Sequence, residues 1–291
     1  PYEPYLWIAP SVILMAIFII IPIFFVFRMS LSQVTKTGTI KAFNDFANFR
    51  KVLNSSQFPI VLKNTVIWTV VVVVLSTVLG FILALILNNQ FKGRKVARAI
   101  IVFPWATTLV IQASVWKFII DKDYGALNTL LKTLGIISAN VNWTPTPAAY
   151  FGWEIACGIF VTIPFVCFTA LSGLQSIDNT LYEAATVDGA SPFRQLISIT
   201  LPSIAPTIIT MLILRVGGIL SAGQDQVYAM YNELVYSVAD ILDTYALRVG
   251  LNNLKYSMST AVSLFKSAIG LVMILVTNKI SKMVDENNGI L

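Results

Sequence analysis

Residues Thr65 to Leu87 read TVIWTVVVVVLSTVLGFILALIL, 23 residues without one charged side chain. A helix needs about 20 mostly apolar residues to cross the hydrocarbon core of a bilayer. A run this long has lipid as its solvent. Five more apolar stretches accompany it, so the expected spans are about 6–27, 61–87, 99–120, 148–171, 203–222 and 258–278. The fold class expected is an all-α polytopic membrane protein with six transmembrane helices, both termini on one side. Only 12% of the residues are charged and the mean hydropathy is +0.77, against about 25% charged in a soluble domain.

Several chemistries are excluded by what the chain lacks. It contains no histidine, which removes His-dependent triads and the commonest metal ligand. No G-x-x-x-x-G-K-[ST] occurs, so nucleotide phosphates are not cradled in that way. The formal charge of +6 is scattered along the chain rather than gathered into a nucleic-acid-binding stripe. The two cysteines, Cys157 and Cys167, share one expected helix ten residues apart, too far for a disulfide, and read as packing residues. The chain begins at Pro1 without an initiator methionine, so residues are expected ahead of it. Leu6 to Phe27 is too long for a signal-peptide core and reads as a retained anchor.

Between the spans lie 28–60, 88–98, 121–147, 172–202 and 223–257. With the termini inside, the inner segments hold seven Lys and Arg (Lys92, Arg94, Lys95, Arg98, Arg194, Lys279 and Lys282) and the outer ones nine. Raw numbers oppose that orientation. The density of NNQFKGRKVAR (88–98) favours it. In the outer segments, FANFRKVL (46–53), YGALNTLLKTLG (124–135) and VADILDTYALRVG (238–250) carry apolar residues three or four apart. They are expected to form short amphipathic helices lying on the membrane or a partner.

EAATVDGASPFRQLISITLP, residues 183–202, is acidic and alanine-rich between two apolar blocks. Thr180-Leu181-Tyr182-Glu183 fits a capping box, with Leu181, Ala184 and Ala185 on one helix face. Gly189 supplies a tight turn, and Ser191-Pro192 restarts a helix with Ser as N-cap and Pro at its first position. Pro202, followed by Pro206, marks where that helix gives way to the next span. The expected product is a short helix pair outside the bilayer. Its small alanines would let a partner approach the backbone; the plainer alternative is a structured loop in which Glu183 merely caps a helix.

Glu183-Ala184-Ala185, Gly189, Ile199 and Leu201-Pro202 reproduce, at every fixed position, the gapped EAA motif of the permease subunits of binding-protein-dependent ABC importers. The chain resembles the maltose-type sugar-permease branch of that family from about residue 61 to 282. GRKVARAIIVFPWATTLVIQASVWKF (93–118) and YGALNTLLKTLG carry the likeness upstream. The resemblance implies that Glu183, Ala184, Ala185, Gly189, Ile199, Leu201 and Pro202 form cytoplasmic coupling helices between the fourth and fifth spans, docked on a separate ATPase. That would place 88–98, 172–202 and the C-terminal tail inside, and 28–60, 121–147 and 223–257 outside. It implies residues 1–60 as an N-terminal helix with an extracytoplasmic segment, 61–282 as the permease domain and 283–291 as a cytoplasmic tail. ATP and Mg would be bound by the ATPase, with no cofactor in this chain. The partners implied are an ATPase dimer, a second related permease chain, an extracytoplasmic solute-binding protein and membrane lipid.

Charges inside spans cost about 2.5–3.5 kcal/mol each on insertion scales, so Glu154, Arg215 and Lys266 stand out. One reading pairs Glu154 with one of the cations and makes the group a brace. The other lines a water-filled path, in which two cations against one carboxylate suit an acidic sugar. Lys63 and Lys117 lie near span ends and read as snorkelling. Trp68, Trp105, Trp116 and Trp153 could stack on sugar rings but read mostly as interface belts.

The function expected is a saccharide-importer permease that is not itself an enzyme. An importer for another solute is the alternative within transport. A membrane enzyme using Glu154 with Asp225 or another carboxylate as acid and base lacks any supporting His, metal cluster or nucleophile motif, and a polytopic scaffold is the third option.

Overall fold

The structure is a computed structural model and describes residues 3–218, 224–230 and 235–284. Residues 219–222 of the fifth expected span and 285–291 of the tail lie outside the described residues. Among the described residues, five helices are long and apolar enough to cross a membrane: Tyr5–Ser30, Phe58–Asn88, Pro147–Gln175, Pro192–Leu212 and Tyr256–Lys279. The chain divides into two compact units, residues 1–63 with 241–269 and residues 64–240 with 270–291.

In the first unit, the Tyr5–Ser30 helix has no residue of its most apolar stretch buried, as a lipid-facing anchor requires. It runs into an antiparallel pair of strands, Ser32–Val34 with Ile40–Phe43. This corrects the all-α expectation: β-branched residues flank a turn at Gly38, whose φ of +84° suits a residue without Cβ. Buried Asn48 donates to the carbonyls of Ser30 (2.8 Å) and Ser32 (2.9 Å), clamping the hairpin to the helix end. The core of this unit holds Val52, Phe58, Val61, Leu242, Tyr245 and Val262. The Leu242–Leu247 helix is therefore interior. The amphipathic helix expected there to lie on the membrane or a partner instead packs inside its own unit, with Leu242, Asp243, Thr244, Tyr245 and Ala246 all buried.

In the second unit, close approach of two spans sets the packing. A Cβ on Gly80 would stand 2.6 Å from Val166, and one on Gly158 would stand 2.9 Å from Trp68. Small residues let membrane helices meet at backbone distance. Cys157 and Cys167 are both fully buried free thiols, as expected of packing residues. Trp68 is 3% exposed against Gly158, which corrects its assignment to an interface belt. Trp116, Trp153 and Trp143 form a ladder with ring centroids 5.9 and 6.3 Å apart.

The run 99–120 is not one helix. Arg94–Val102 and Leu109–Ile120 are separate, with buried Pro104 between them. A proline has no amide hydrogen and clashes with the preceding turn. Near the first of these helices, Arg98 Nη2 donates to the Leu87 carbonyl at 3.4 Å, where a cation suits the C-terminal end of the Phe58–Asn88 helix.

Candidate functional site

The helix pair of residues 178–202 is built from its caps inward. Asp178, not Thr180, is the N-cap of the Asn179–Val187 helix, accepting the Thr180 amide at 2.9 Å. The expected capping box is thereby corrected: an aspartate two residues earlier bonds the free amide first, and Glu183 points into solvent. That bond holds the Asp178 carboxyl below the usual carboxylate range. Its contribution to the helix is present above the unfolded carboxylate pKa and is lost as pH falls through the lowered folded value.

The other end closes as a Schellman motif. The Gly189 amide bonds Thr186 O at 3.1 Å and the Ala190 amide bonds Ala185 O at 2.8 Å, with Gly189 at φ +76°. Ser191 then caps the next helix through the Arg194 amide, with Pro192 at its first position. Gln195 Nε2 reaches back to Thr186 Oγ1 (3.1 Å) and Ala190 O (3.2 Å), and Tyr182 OH meets Thr200 Oγ1 at 2.9 Å. These bonds make the pair one stiff bracket. Pro202 does not end its second helix. A wide turn over Leu196–Thr200, closed by Leu201 N on Leu196 O, absorbs the missing proline donor, and the chain continues into Leu201–Gly218.

Of the motif residues, Ala184, Gly189, Leu201 and Pro202 are exposed, while Ala185 and Ile199 line a pocket of about 300 Å³ with Arg194. Two residues that sequence reasoning passed over stand beside them, Val187 at 88% and Phe193 at 70% exposure. Apolar residues in a segment too polar to span were the available signal.

Glu154 and Arg215 belong to the second unit and Lys266 to the first. Lys266 is ion-paired with Asp243, both in the first unit. The expectation that Glu154 was the sole balancing carboxylate is corrected: Asp243 sits in the segment taken for an outer loop, which packs as core. Glu154 is fully buried and both carboxylate oxygens lack a hydrogen-bond partner. Its backbone carbonyl takes Gln226 Nε2 at 2.8 Å, and Tyr150 OH, one turn away, donates to Met230 O. Asp225, the second acid of the enzyme alternative, is exposed, whereas Glu154 is buried.

Arg215 lies over the Phe165 ring, 5.4 Å from its centroid, and lines a pocket of about 500 Å³ with Trp105, Thr107, Gln112 and Thr162. Among the described residues it makes no ion pair. Trp105, 64% exposed, and Thr107 come from the break between the Arg94–Val102 and Leu109–Ile120 helices. No group of three or more His, Cys, Asp or Glu residues placed to hold a metal occurs among the described residues.

Long apolar helices, and a pocket among them that holds an arginine, are the build of a multi-pass membrane transport protein. The chain belongs to the family described as binding-protein-dependent transport system inner membrane component, whose model matches residues 76–287. It is 35% identical over 278 residues to a probable ABC transporter permease protein of Brucella abortus, covering 96% of each chain. It is 40% identical over 211 residues to the trehalose/maltose transport system permease protein MalF of Thermococcus litoralis, covering 72% of this chain and 71% of that one. Its fold matches a chain of a bacterial ABC transporter that imports the acidic polysaccharide alginate, at a TM-score of 0.88 and 28% identity, over 98% of this chain and 96% of the other.

Proposed function

We propose that this chain is one half of the translocation path of an ATP-driven importer for acidic oligosaccharides. The observation that carries the reading is Arg215. A guanidinium in an apolar span costs about 2.5–3.5 kcal/mol to insert, yet this one has no ion pair among the described residues and opens on a pocket beside aromatic rings. A carboxylate on the passing solute would supply the missing counter-charge. The alginate transporter among its structural neighbours and the trehalose/maltose relative support a saccharide, the former an acidic one.

Within this reading the broken run 99–120 completes a set of six spans. The 178–202 bracket lies on the cytoplasmic side as the coupling element. Exposed Val187 and Phe193, with the small Ala184, offer a surface for an ATPase subunit, which binds the ATP and Mg. A second permease chain forms the other half of the path, and a solute-binding protein delivers from outside, in keeping with the family's description.

Arg215→Met, assayed for uptake by the assembled transporter, tests the substrate charge. Hydrogen bonds to a charged group contribute about 1.5–3 kcal/mol, so preference for a uronic-acid oligosaccharide over its carboxyl-reduced counterpart should fall roughly 10-fold or more. Equal loss for both solutes would refute the acidic-substrate reading.

A further inference from the structure

The Leu109–Ile120 helix has 12 residues, about 18 Å at 1.5 Å per residue, against a hydrocarbon core of about 30 Å. If this run crosses the bilayer, the non-helical segment 103–108 lies at membrane depth. Irregular backbone is tolerated there only where it is buried in protein or lines a water-filled cavity. This segment does line a cavity: Trp105 and Thr107 border the Arg215 pocket.

Its internal bonding leaves particular groups over. Gln112 Nε2 donates to the carbonyls of Pro104 and, at 3.0 Å, Thr107, which pins the shape of the break and fixes which end of the amide is oxygen. Gln112 is 6% exposed and its Oε1 has no partner, although the residue lines the pocket. The helix starting at Leu109 has no side-chain cap: Thr108 makes no capping bond. Free first-turn amides favour an anion, and Leu109 too lines the pocket. One pocket therefore presents a cation, a helix start without a side-chain cap and an exposed indole face.

We propose that the 103–108 break and Arg215 together form a subsite for a single uronic-acid ring. Its carboxylate lies toward Arg215 and the start of the Leu109–Ile120 helix, and the ring stacks on Trp105. This rests on the importer reading and adds a division of labour to it. Arg215 reads charge; Trp105 reads the ring.

The test is binding of a labelled uronic-acid tetrasaccharide and its carboxyl-reduced counterpart to the purified, assembled transporter freed of its solute-binding protein. Trp105→Leu should raise the Kd for both solutes about 5-fold and leave their ratio unchanged, and Trp105→Phe should restore most of the loss. Arg215→Met should change the ratio instead. Unchanged affinity in Trp105→Leu, a change in the ratio alone, or loss of the assembled complex on this exposed substitution would each overturn the subsite. A ratio unmoved by Arg215→Met would sink the acidic-substrate reading while leaving the Trp105 result interpretable.

Discussion

Gly189 shows how much one residue can decide. At φ +76° nothing lies within 4 Å of where a Cβ would stand, so a side chain there meets backbone strain and not a clash. Left-handed backbone costs an L-residue roughly 1–2 kcal/mol, enough to loosen the two Schellman bonds that set the angle between the helices. Gly189→Leu should insert normally yet transport poorly and fail to stimulate the ATPase. Ala185→Trp should do the same by filling the pocket it shares with Ile199. Wild-type uptake by either variant at normal expression would exclude a docking role for the bracket. The positions of Gly189, Ser191 and Pro192 were legible because turn and cap chemistry is local. The N-cap was misplaced for a reason of the same kind: Asp178 and Thr180 both suit a helix start, and only the structure shows which one bonds the amide.

At the scale of elements, Lys266 and Asp243 join the Tyr256–Val284 helix to the short Leu242–Leu247 helix. Their side chains are 17% and 9% exposed, so removing one partner leaves the other charge buried, at a cost of about 3–5 kcal/mol. Lys266→Met should lower the thermal unfolding midpoint of the full chain in detergent, and adding Asp243→Asn should recover much of the loss. Solute preference should not change in either. A shift in charged-to-neutral preference from Lys266→Met would return Lys266 to the solute path. Sequence periodicity could not foresee this pair. The 238–250 stretch has the spacing of a surface helix, and whether such a stretch is covered depends on which distant segments arrive against it. Pro104 was visible, but the length of the break it sits in, from Val102 to Leu109, was not.

For the whole molecule, the expectation that can be checked directly is sidedness. With residues 88–98, 172–202 and the tail inside, a single cysteine at Ser191, in a background where the buried Cys157 and Cys167 are replaced, should resist a membrane-impermeant thiol reagent applied to intact cells. It should react once the membrane is opened. Strong labelling from outside would reverse the topology and, with it, the docking of the bracket on a cytoplasmic ATPase.

The membrane class, the long apolar helices and the 183–202 motif were determined by the sequence alone, because each depends on residues adjacent in the chain: uninterrupted apolarity, a glycine in a left-handed turn, a serine before a proline. Pairings across the chain were decided only by tertiary structure. Lys266 faces Asp243, the Glu154 carboxylate has no hydrogen-bond partner among the described residues, Trp68 is packed on Gly158, and Trp105 and Gln112 are brought to Arg215. The physical reason is range. A cap or turn is settled by bonds within a few residues, whereas the partner of a charge in a low-dielectric interior is settled by whichever segment, tens of residues away, the packing brings to it.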